Sequence, residues 1–273
     1  MNVAALIGSP VGHSLSPAIH RAAFEAAGVD WSYVSFDIAA GQADAALVAM
    51  RILGIAGMSV TTPHKEQVAE SVDGLAQAAA VLRSVNTVVL EPDGRLVGHS
   101  TDGHGFVSAL EADGIEMCGI HVAVLGAGPA ARSIVSALDR AGAGSIVVIN
   151  RTPSKAEDVV AVAPITARVG GPDATDDLVR ADLIVNATSV GFDTDELPLD
   201  PAVLHFEHLV ADLVYHPLDT ALLRAARGAG ARTFDGLGML VHQAALQQHL
   251  WLGHMPDVGV MRAAAEAELA RRA

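Results

Sequence analysis

The chain contains only two lysines, Lys65 and Lys155, against fifteen arginines. Arginine supplies a fixed positive charge, whereas a lysine amine is tuned by its surroundings to give and take a proton. A lysine that persists in so arginine-rich a sequence is therefore a candidate for proton transfer. Lys65 closes the segment GMSVTTPHK, in which hydroxyl groups precede the amine. We predict an acid/base role for Lys65; the simpler alternative is a solvated surface lysine.

Further polar segments in the first hundred residues carry groups suited to holding a ligand. GHSLSP contributes the hydroxyls of Ser14 and Ser16 beside a predicted helix start. SVNT contributes the Asn86 amide, and GHSTDG contributes the Asp102 carboxylate. Ligand-binding loops of open α/β sheets follow apolar strands in this way. Hydroxyls and amides around one amine and one carboxylate favour a polyhydroxylated ligand over an apolar one.

A glycine-rich turn follows the apolar strand IHVAVL in the second half of the chain. The segment IHVAVLGAGPAARS has the form strand, G-x-G-x-x-A, helix, with Gly126, Gly128 and Ala131 at the key positions. The first glycine permits a tight turn, the second lets the backbone approach a pyrophosphate, and the third small residue lets the helix pack on the strand. The helix start then favours phosphate. We predict dinucleotide binding here; the alternative is a purely structural turn.

The end of the next strand predicts which dinucleotide is bound. NAD sites usually place a carboxylate there for the ribose 2′-hydroxyl. This chain has Asn150, Arg151, Thr152, Pro153, Ser154 and Lys155 instead, with two cations and no carboxylate. A charged hydrogen bond contributes about 1.5–3 kcal/mol, so such a loop favours the 2′-phosphate of NADP. The alternatives are an arginine stacked on adenine and a solvated Lys155.

Alternating strands and helices must position these groups. Apolar runs predict strands at residues 3–7, 31–36, 57–60 and 85–90, and helical spacing or helix starts fall between them. Ser16 is the expected N-cap of the first helix, with Pro17 following it. A second α/β unit has predicted strands at residues 120–125, 145–149, 183–185, 209–212 and 232–234, and the chain is mostly helical from Leu237. This alternation predicts parallel sheets covered on both faces.

Composition excludes several classes of protein. A net charge of −14 argues against nucleic-acid or anionic-membrane partners. No apolar run approaches the ~18 residues of a membrane span, and the N-terminus lacks a charged signal region. The single Cys118 fits a reducing cytoplasm. Twelve histidines are dispersed without metal-ligand spacing, so we expect no metal site.

Several of these segments, in order and spacing, resemble the shikimate dehydrogenase family. The resemblance runs from Leu6 to about Asp257 and rests on GSPVGHSLSPAIH, SVTTPHK, SVNT, STDGHG, GAGPAAR, NRTPSK, NATSVG, DLVYHPLDTALL and DGLGMLVHQAA. It implies reduction of 3-dehydroshikimate to shikimate with NADPH. It also implies an α/β substrate domain at 1–101, a Rossmann-type, doubly wound NADP domain at 102–236, and C-terminal helices at 237–273 that return to the first domain.

The resemblance also implies roles for individual residues. Lys65 and Asp102 match the catalytic pair. The positions that match substrate contacts are Ser14, Ser16, Ser59, Thr61, Lys65, Asn86, Asp102, Tyr215 and Gln243. The positions that match cofactor contacts are Gly126, Ala127, Gly128, Pro129, Ala130, Asn150, Arg151, Thr152, Lys155, Thr188, Leu213 and Gly236.

The chain departs from the family pattern at a few positions. Ser59 and Ser100 stand where the family usually has asparagine, and Pro129 replaces a second glycine. Arg83 stands where the family favours a small residue, and His20-Arg21 replaces His-Asn. These departures leave open a relative acting on quinate or an amino analogue, or a non-catalytic NADP sensor. We expect a monomer or homodimer that binds a small cyclic acid.

Overall fold

The computed structural model describes residues 1–171 and 173–272. The chain forms two compact units. One comprises Met1–Gly105 together with the chain from Val241 onward, and the other comprises Phe106–Leu240. In the described part of the chain, no helix has both the length and the apolar character needed to cross a membrane.

The first unit is built on a six-stranded sheet. Its elements are β1 Asn2–Gly8, α1 Ser16–Ala26, β2 Trp31–Asp37, α2 Ala43–Leu53, β3 Gly57–Val60, α3 Lys65–Ser71, β4 Gly74–Leu75, α4 Gln77–Leu82, β5 Thr87–Leu90 and β6 Leu96–His99. Helix α5, Asp102–Ala112, begins in this unit, and the boundary at Gly105 falls within it. The strand order is β2-β1-β3-β5-β6-β4. Strand β1 lies inside the sheet, and its side chains alternate between the two faces. Ala4 and Leu6 pack into one apolar cluster, and Ala5 and Ile7 pack into another. Apolar side chains therefore cover both faces of the first sheet.

The expectation of a fully parallel sheet is wrong for β5, which pairs antiparallel with both β3 and β6. Only Glu91–Arg95 separates β5 from β6, and Gly94 turns the chain with φ +86°. A parallel crossover needs a dozen or more residues, whereas a short turn suffices for an antiparallel pair. The first sheet is therefore mixed, and its antiparallel pair brings Asn86 and His99 to one end.

The second unit is a doubly wound α/β fold. Its elements are β7 His121–Leu125, α6 Pro129–Arg140, β8 Ser145–Ile149, α7 Pro153–Val160, β9 Ala167–Val169, α8 Thr175–Val179, β10 Leu183–Asn186, a 3₁₀ turn at Pro201–Val203, β11 Leu209–Asp212, α9 Ala221–Gly228 and β12 Arg232–Phe234. All six strands are parallel in the order β12-β11-β10-β7-β8-β9. The order reverses at β7, whose carboxyl end carries the glycine turn. The predicted Rossmann-type fold is confirmed.

Two helices complete the chain, α10 Gly236–Leu252 and α11 Val258–Arg272. Helix α11 packs along α1. The Trp251 indole of α10 donates to the Val88 carbonyl at 3.2 Å. Gly57 makes room for that indole, because a Cβ there would lie 2.4 Å from the Trp251 ring. The C-terminal helices therefore return to the first unit, as predicted.

Candidate active site

Lys65 and Asp102 form an ion pair in the first unit. Each is the first residue of a helix, α3 and α5 respectively. The Lys65 Nζ lies 2.6 Å from the Asp102 Oδ2, and the two side chains are only 19% and 13% exposed. The amine and the carboxylate are thus held in contact and are largely shielded from bulk water.

The Asn86 amide holds the other oxygen of the same carboxylate. Its Nδ2 donates to the Asp102 Oδ1 at 2.7 Å and to the Thr101 hydroxyl at 2.9 Å. Its Oδ1 accepts the Thr101 backbone N–H at 2.9 Å and the Thr87 hydroxyl at 2.8 Å. The Val85 N–H also donates to the Lys65 carbonyl, which ties this segment to α3. Both oxygens of Asp102 therefore have fixed partners.

The two serines of the GHSLSP segment lie at the start of α1. The helix begins at Ser16, and Leu15 occupies the N-cap position. The expectation that Ser16 is the N-cap is therefore wrong. The Ser14 hydroxyl instead accepts the Ser16 backbone N–H at 3.2 Å. Ser14 is half-buried and Ser16 is buried at 8% exposure, so only Ser14 lies at the surface of this turn.

Thr61 lies between β3 and α3, where its backbone N–H donates to the Ile7 carbonyl at 2.9 Å. Its methyl group packs on Gly8. A Cβ at position 8 would lie 2.3 Å from the Thr61 Cγ2, so only glycine fits beside it. The start of the GSPVG segment therefore sets the position of the threonine that precedes Lys65.

Gln243 lies on α10, close to the start of α5. A Cβ at Gly105 would lie 2.5 Å from the Gln243 backbone nitrogen, so glycine at 105 permits the close approach. Gly105 follows Asp102 within one helical turn. The first unit thus brings the predicted residues Lys65, Asp102, Asn86 and Gln243 into one neighbourhood.

Ser59 is buried, and its hydroxyl is bonded on two sides. It accepts the Tyr33 hydroxyl at 2.8 Å and donates to the Gln247 Oε1 at 2.7 Å. Sequence reasoning missed both Tyr33 and Gln247. The available signals were that Tyr33 is one of two tyrosines, and that Gln247 follows Gln243 by four residues on a predicted helix.

In the second unit, the glycine turn has the geometry that its sequence predicts. Gly126 has φ +105°, and a Cβ there would lie 2.9 Å from the Ala187 carbonyl. Gly128 is the N-cap of α6, and a Cβ there would meet open space. Pro129 follows at the helix start, where its missing N–H does no harm. Ala131 is fully buried against the sheet. This open turn at a helix N-terminus fits a pyrophosphate.

The loop after β8 presents cations to solvent. The Asn150 Nδ2 donates to the Thr152 carbonyl at 2.9 Å and so shapes the turn into α7. Arg151, Thr152 and Lys155 are exposed, and the first turn of α7 has no acidic residue. Within residues 1–171 and 173–272, neither Arg151 nor Lys155 belongs to an ion pair. Unpaired cations on a chain of net charge −14 suit a phosphate group.

Thr188 and Leu213 lie on the loops that follow β10 and β11, and Gly236 is the first residue of α10, which follows β12. The Thr188 hydroxyl donates to the Asn186 Oδ1 at 2.6 Å. A Cβ at Gly236 would lie 2.6 Å from the Leu213 carbonyl, so glycine allows the start of α10 to approach the loop after β11. Tyr215 is half-buried on the loop that follows Leu213.

The buried carboxylate of Asp212 connects the end of β10 to the loop after β11 through hydrogen bonds. It accepts the Asn186 Nδ2 at 2.8 Å, the Val214 N–H at 3.0 Å and the Thr220 hydroxyl at 2.7 Å. Burial raises the pKa of Asp212, and its hydrogen bonds with Thr220, Val214 and Asn186 oppose that rise. Sequence reasoning did not single out this residue.

The reversed strand order, the glycine turn and the cationic loop place the second unit in the class of doubly wound dinucleotide-binding folds. Three family models match the chain. They are the shikimate dehydrogenase substrate binding domain at residues 6–88, shikimate / quinate 5-dehydrogenase at 110–191, and the shikimate 5′-dehydrogenase C-terminal domain at 236–266.

Known proteins resemble the chain over nearly its whole length. A relative from Symbiobacterium thermophilum, named shikimate dehydrogenase (NADP(+)), is 42% identical over 97% of this chain and 93% of its own. Shikimate 5-dehydrogenase from Thermus thermophilus, solved with NADP(H) and shikimate, is 38% identical with a TM-score of 0.90, covering 98% and 99% of the two chains. Quinate dehydrogenase from Corynebacterium glutamicum, solved with NAD, is 31% identical with a TM-score of 0.91, covering 97% and 99%. The chain belongs to the shikimate dehydrogenase family.

Proposed function

We propose that the protein is an NADP-dependent shikimate dehydrogenase that reversibly reduces 3-dehydroshikimate to shikimate, a step of aromatic amino acid biosynthesis. The observation that carries the chemistry is the shielded ion pair between the Lys65 Nζ and the Asp102 Oδ2. The names of the similar proteins support the substrate and the cofactor.

Bound NADPH would supply the hydride, and Lys65 would supply the proton. As the substrate carbonyl becomes a hydroxyl, its oxygen gains negative charge, which the Lys65 ammonium stabilises before donating a proton. Asp102 accepts a hydrogen bond from the same amine and keeps it pointed in one direction. In the oxidation of shikimate, the Lys65 amine accepts the proton instead. A positioned acid or base is worth about 10²–10⁴ in rate.

The remaining polar groups would hold the substrate ring and its carboxylate. We assign the carboxylate to the hydroxyls of Ser14 and Ser16, because the substrate-side motifs contain no arginine. Substrate hydroxyls are assigned to the polar side chains of Ser59, Thr61, Asn86, Tyr215 and Gln243.

The second unit would hold NADP(H) through three sets of residues. The turn formed by Gly126, Ala127, Gly128, Pro129 and Ala130 takes the pyrophosphate. The loop formed by Asn150, Arg151, Thr152 and Lys155 takes the 2′-phosphate, for which exposed unpaired cations are suited. Thr188, Leu213 and Gly236 are assigned to the nicotinamide half. The fit rests on the open space at Gly128 and on the cationic loop.

We propose that the chain is organised in three parts. Residues 1–101 would form the substrate domain, residues 102–236 the NADP domain, and residues 237–273 a helical segment serving the first. A cytoplasmic location agrees with the single Cys118 and a biosynthetic role. The active form would be a monomer or a homodimer.

A second candidate is a quinate dehydrogenase, because a solved quinate dehydrogenase with NAD shares this fold at 31% identity. The cationic loop after β8 counts against NAD as the cofactor. Measuring kcat/KM for shikimate and quinate, each with NADP⁺ and NAD⁺, separates the candidates. We expect shikimate with NADP⁺ to give the highest value by at least about tenfold. A higher value for quinate with NAD⁺ would reject the proposal, and binding of NADP⁺ without turnover of either acid would indicate a sensor.

A further inference from the structure

The turn that carries Ser14 is shaped by hydrogen bonds within itself. We call residues 11–16 the serine turn. The Ser14 backbone N–H donates to the Val11 carbonyl at 3.0 Å. The Ser14 hydroxyl accepts the Ser16 backbone N–H at 3.2 Å. These two bonds set the local shape of the turn, but neither ties it to a distant element of the first unit.

Arg272, in the last turn of α11, supplies a contact from a distant part of the chain. Its two terminal nitrogens donate to the His13 and Ser14 carbonyls, which are 259 and 258 residues away in the sequence. Its Nε donates to the Glu268 carboxylate at 2.7 Å, one turn earlier on the same helix. The planar guanidinium thus uses all three of its nitrogens, and two of them hold consecutive carbonyl groups of the serine turn.

The serine turn is open on the side that faces α11. A cavity of about 410 Å³ lies there, and it is lined by the turn together with Ser35, Asp37, Glu268 and Arg272. His13 is exposed and Ser14 is half-buried. Because this side of the turn borders a cavity rather than the apolar core, the bonds from Arg272 are what fix its carbonyl groups there.

We propose that Arg272 is a positioning residue, which holds the serine turn so that the Ser14 hydroxyl stays in place to bind the substrate carboxylate. The Ser14 oxygen already accepts the Ser16 N–H, so the hydroxyl proton is the group that it offers to a carboxylate oxygen. Arg272 acts on that hydroxyl only through the backbone of the turn. This inference rests on the proposed function, in which Ser14 binds the carboxylate of shikimate.

The first test replaces Arg272 with methionine, which keeps an unbranched apolar stem and has no donor. Arg272→Met releases the His13 and Ser14 carbonyls. We expect KM for shikimate to rise about fivefold, with kcat and KM for NADP⁺ changing less than about twofold. A role confined to folding would lower the melting temperature without changing KM for shikimate, and that result would overturn the proposal.

Arg271→Met is the matched control. Arg271 is the preceding residue of α11 and also donates to Glu268, through its Nε at 2.8 Å and a terminal nitrogen at 2.7 Å. Its side chain is 71% exposed, against 28% for Arg272. We expect Arg271→Met to leave KM for shikimate within about twofold of wild type, because an exposed ion pair contributes little. Equal rises in KM for the two variants would overturn the proposal.

A double-mutant cycle with Ser14→Ala tests the coupling itself. Ser14→Ala removes the hydroxyl and should raise KM for shikimate without any change at Arg272. If Arg272 acts through Ser14, Arg272→Met should then change KM less than about twofold further. Two independent rises in KM that multiply would contradict the proposal.

Arg272→Lys separates the two carbonyl contacts from the positive charge. The lysine amine keeps the charge but lacks the planar fork that holds both carbonyls in a fixed geometry. We expect KM for shikimate to rise at least about twofold. A KM equal to wild type would show that charge alone is enough and would overturn the proposed role of the fork.

The same measurements distinguish this inference from the proposed function. If wild type does not turn over shikimate, the proposed function fails and this inference with it. If wild type is active and Arg272→Met keeps its KM for shikimate, only the inference fails.

Discussion

The candidate substrate residues and the candidate cofactor residues are held in opposite ways. Lys65, Asp102 and Asn86 are largely buried and bonded to one another. Arg151 and Lys155 are exposed on a loop whose shape is set by the Asn150 amide. The first arrangement is organised before any ligand arrives, whereas the second offers charge that solvent screens until a phosphate binds. We therefore expect substitutions in the first region to be coupled, and those in the second to be nearly additive and sensitive to salt.

The largest effect should follow the loss of the amine from the buried pair. Lys65→Met removes both the proton and the positive charge near the reacting oxygen, so kcat should fall by about 10²–10⁴-fold. Steady-state oxidation of shikimate measures this change, and fluorescence titration should show that NADP⁺ still binds.

Lys155→Met is the natural control, because Lys155 is the other lysine of the chain. It should keep kcat within about twofold of wild type, since its proposed contact is with the cofactor phosphate and not with the reacting atoms. If Lys65→Met and Lys155→Met have the same kcat, Lys65 has no special role in the reaction, and the proposed difference between the two regions is wrong.

The next effect should separate the two cofactors. Arg151→Ala and Lys155→Ala each remove a cation facing the proposed 2′-phosphate, so KM for NADPH should rise about ten- to a hundredfold while KM for NADH stays nearly constant. The rise should shrink at high salt, where exposed charges are already screened. Equal changes for NADPH and NADH would place the 2′-phosphate elsewhere.

The second unit also contains a buried, hydrogen-bonded carboxylate, that of Asp212. Its loss should affect stability and binding together, as we expect for the buried residues of the first unit. Asp212→Asn replaces one acceptor oxygen by a donor amide. Placed toward Asn186 and Val214, the new amide meets two N–H donors, and placed toward Thr220, it leaves the proton of that hydroxyl without its acceptor. Unfolding free energy should fall by about 1–3 kcal/mol, measured by thermal denaturation, and KM for NADP⁺ should rise as the loops loosen.

Asp200→Asn is the comparison for Asp212→Asn. Asp200 is exposed in the same unit and accepts one backbone N–H, from Ala202. We expect it to cost less than about 1 kcal/mol. If the two variants lose the same free energy of unfolding, the burial of Asp212 does not add to its contribution to stability.

The last prediction concerns the pH dependence of stability. Burial lowers the pKa of His20 to about 3, against 6.5 for an ordinary histidine. The folded state therefore binds fewer protons than the unfolded state between these values, so stability is full above about pH 6.5 and falls as pH drops toward 3. At pH 5 the loss from this residue is about 2 kcal/mol.

His20→Asn keeps an acceptor for Gln248 and removes this titration, so its melting temperature should fall less between pH 7 and pH 5 than that of wild type. His249→Asn, at an exposed position of α10, should retain the wild-type dependence. If the curves of His20→Asn and wild type are parallel, other groups control acid stability.

Local patterns in the sequence predicted most of the strands and the dinucleotide turn. Strands β3 and β8 are largely apolar segments followed by polar ones, and their bounds were predicted from that pattern. The antiparallel β5–β6 pair was missed because the second strand, LVGH, is short and only partly apolar.

The pairing of site residues was harder to predict than their identities. Lys65 stood out by scarcity and Asp102 by its polar segment, but the bond between them joins positions that are 37 residues apart. The contact of Gln247 with Ser59 depends on α10 returning to the first sheet, with 188 residues separating the two. Such contacts are set by tertiary packing, which spacing along the chain does not encode. Asp212 was missed for the same reason.

The central claim is that Lys65 transfers a proton and does more than supply charge, and the kcat of Lys65→Arg tests it most directly. Arginine keeps the positive charge and can still pair with Asp102, but it does not give up its proton in proteins. We predict that Lys65→Arg loses about 10²–10⁴-fold in kcat, nearly as much as Lys65→Met, while still binding NADP⁺. A kcat within about tenfold of wild type would show that a fixed charge is enough and would contradict the account.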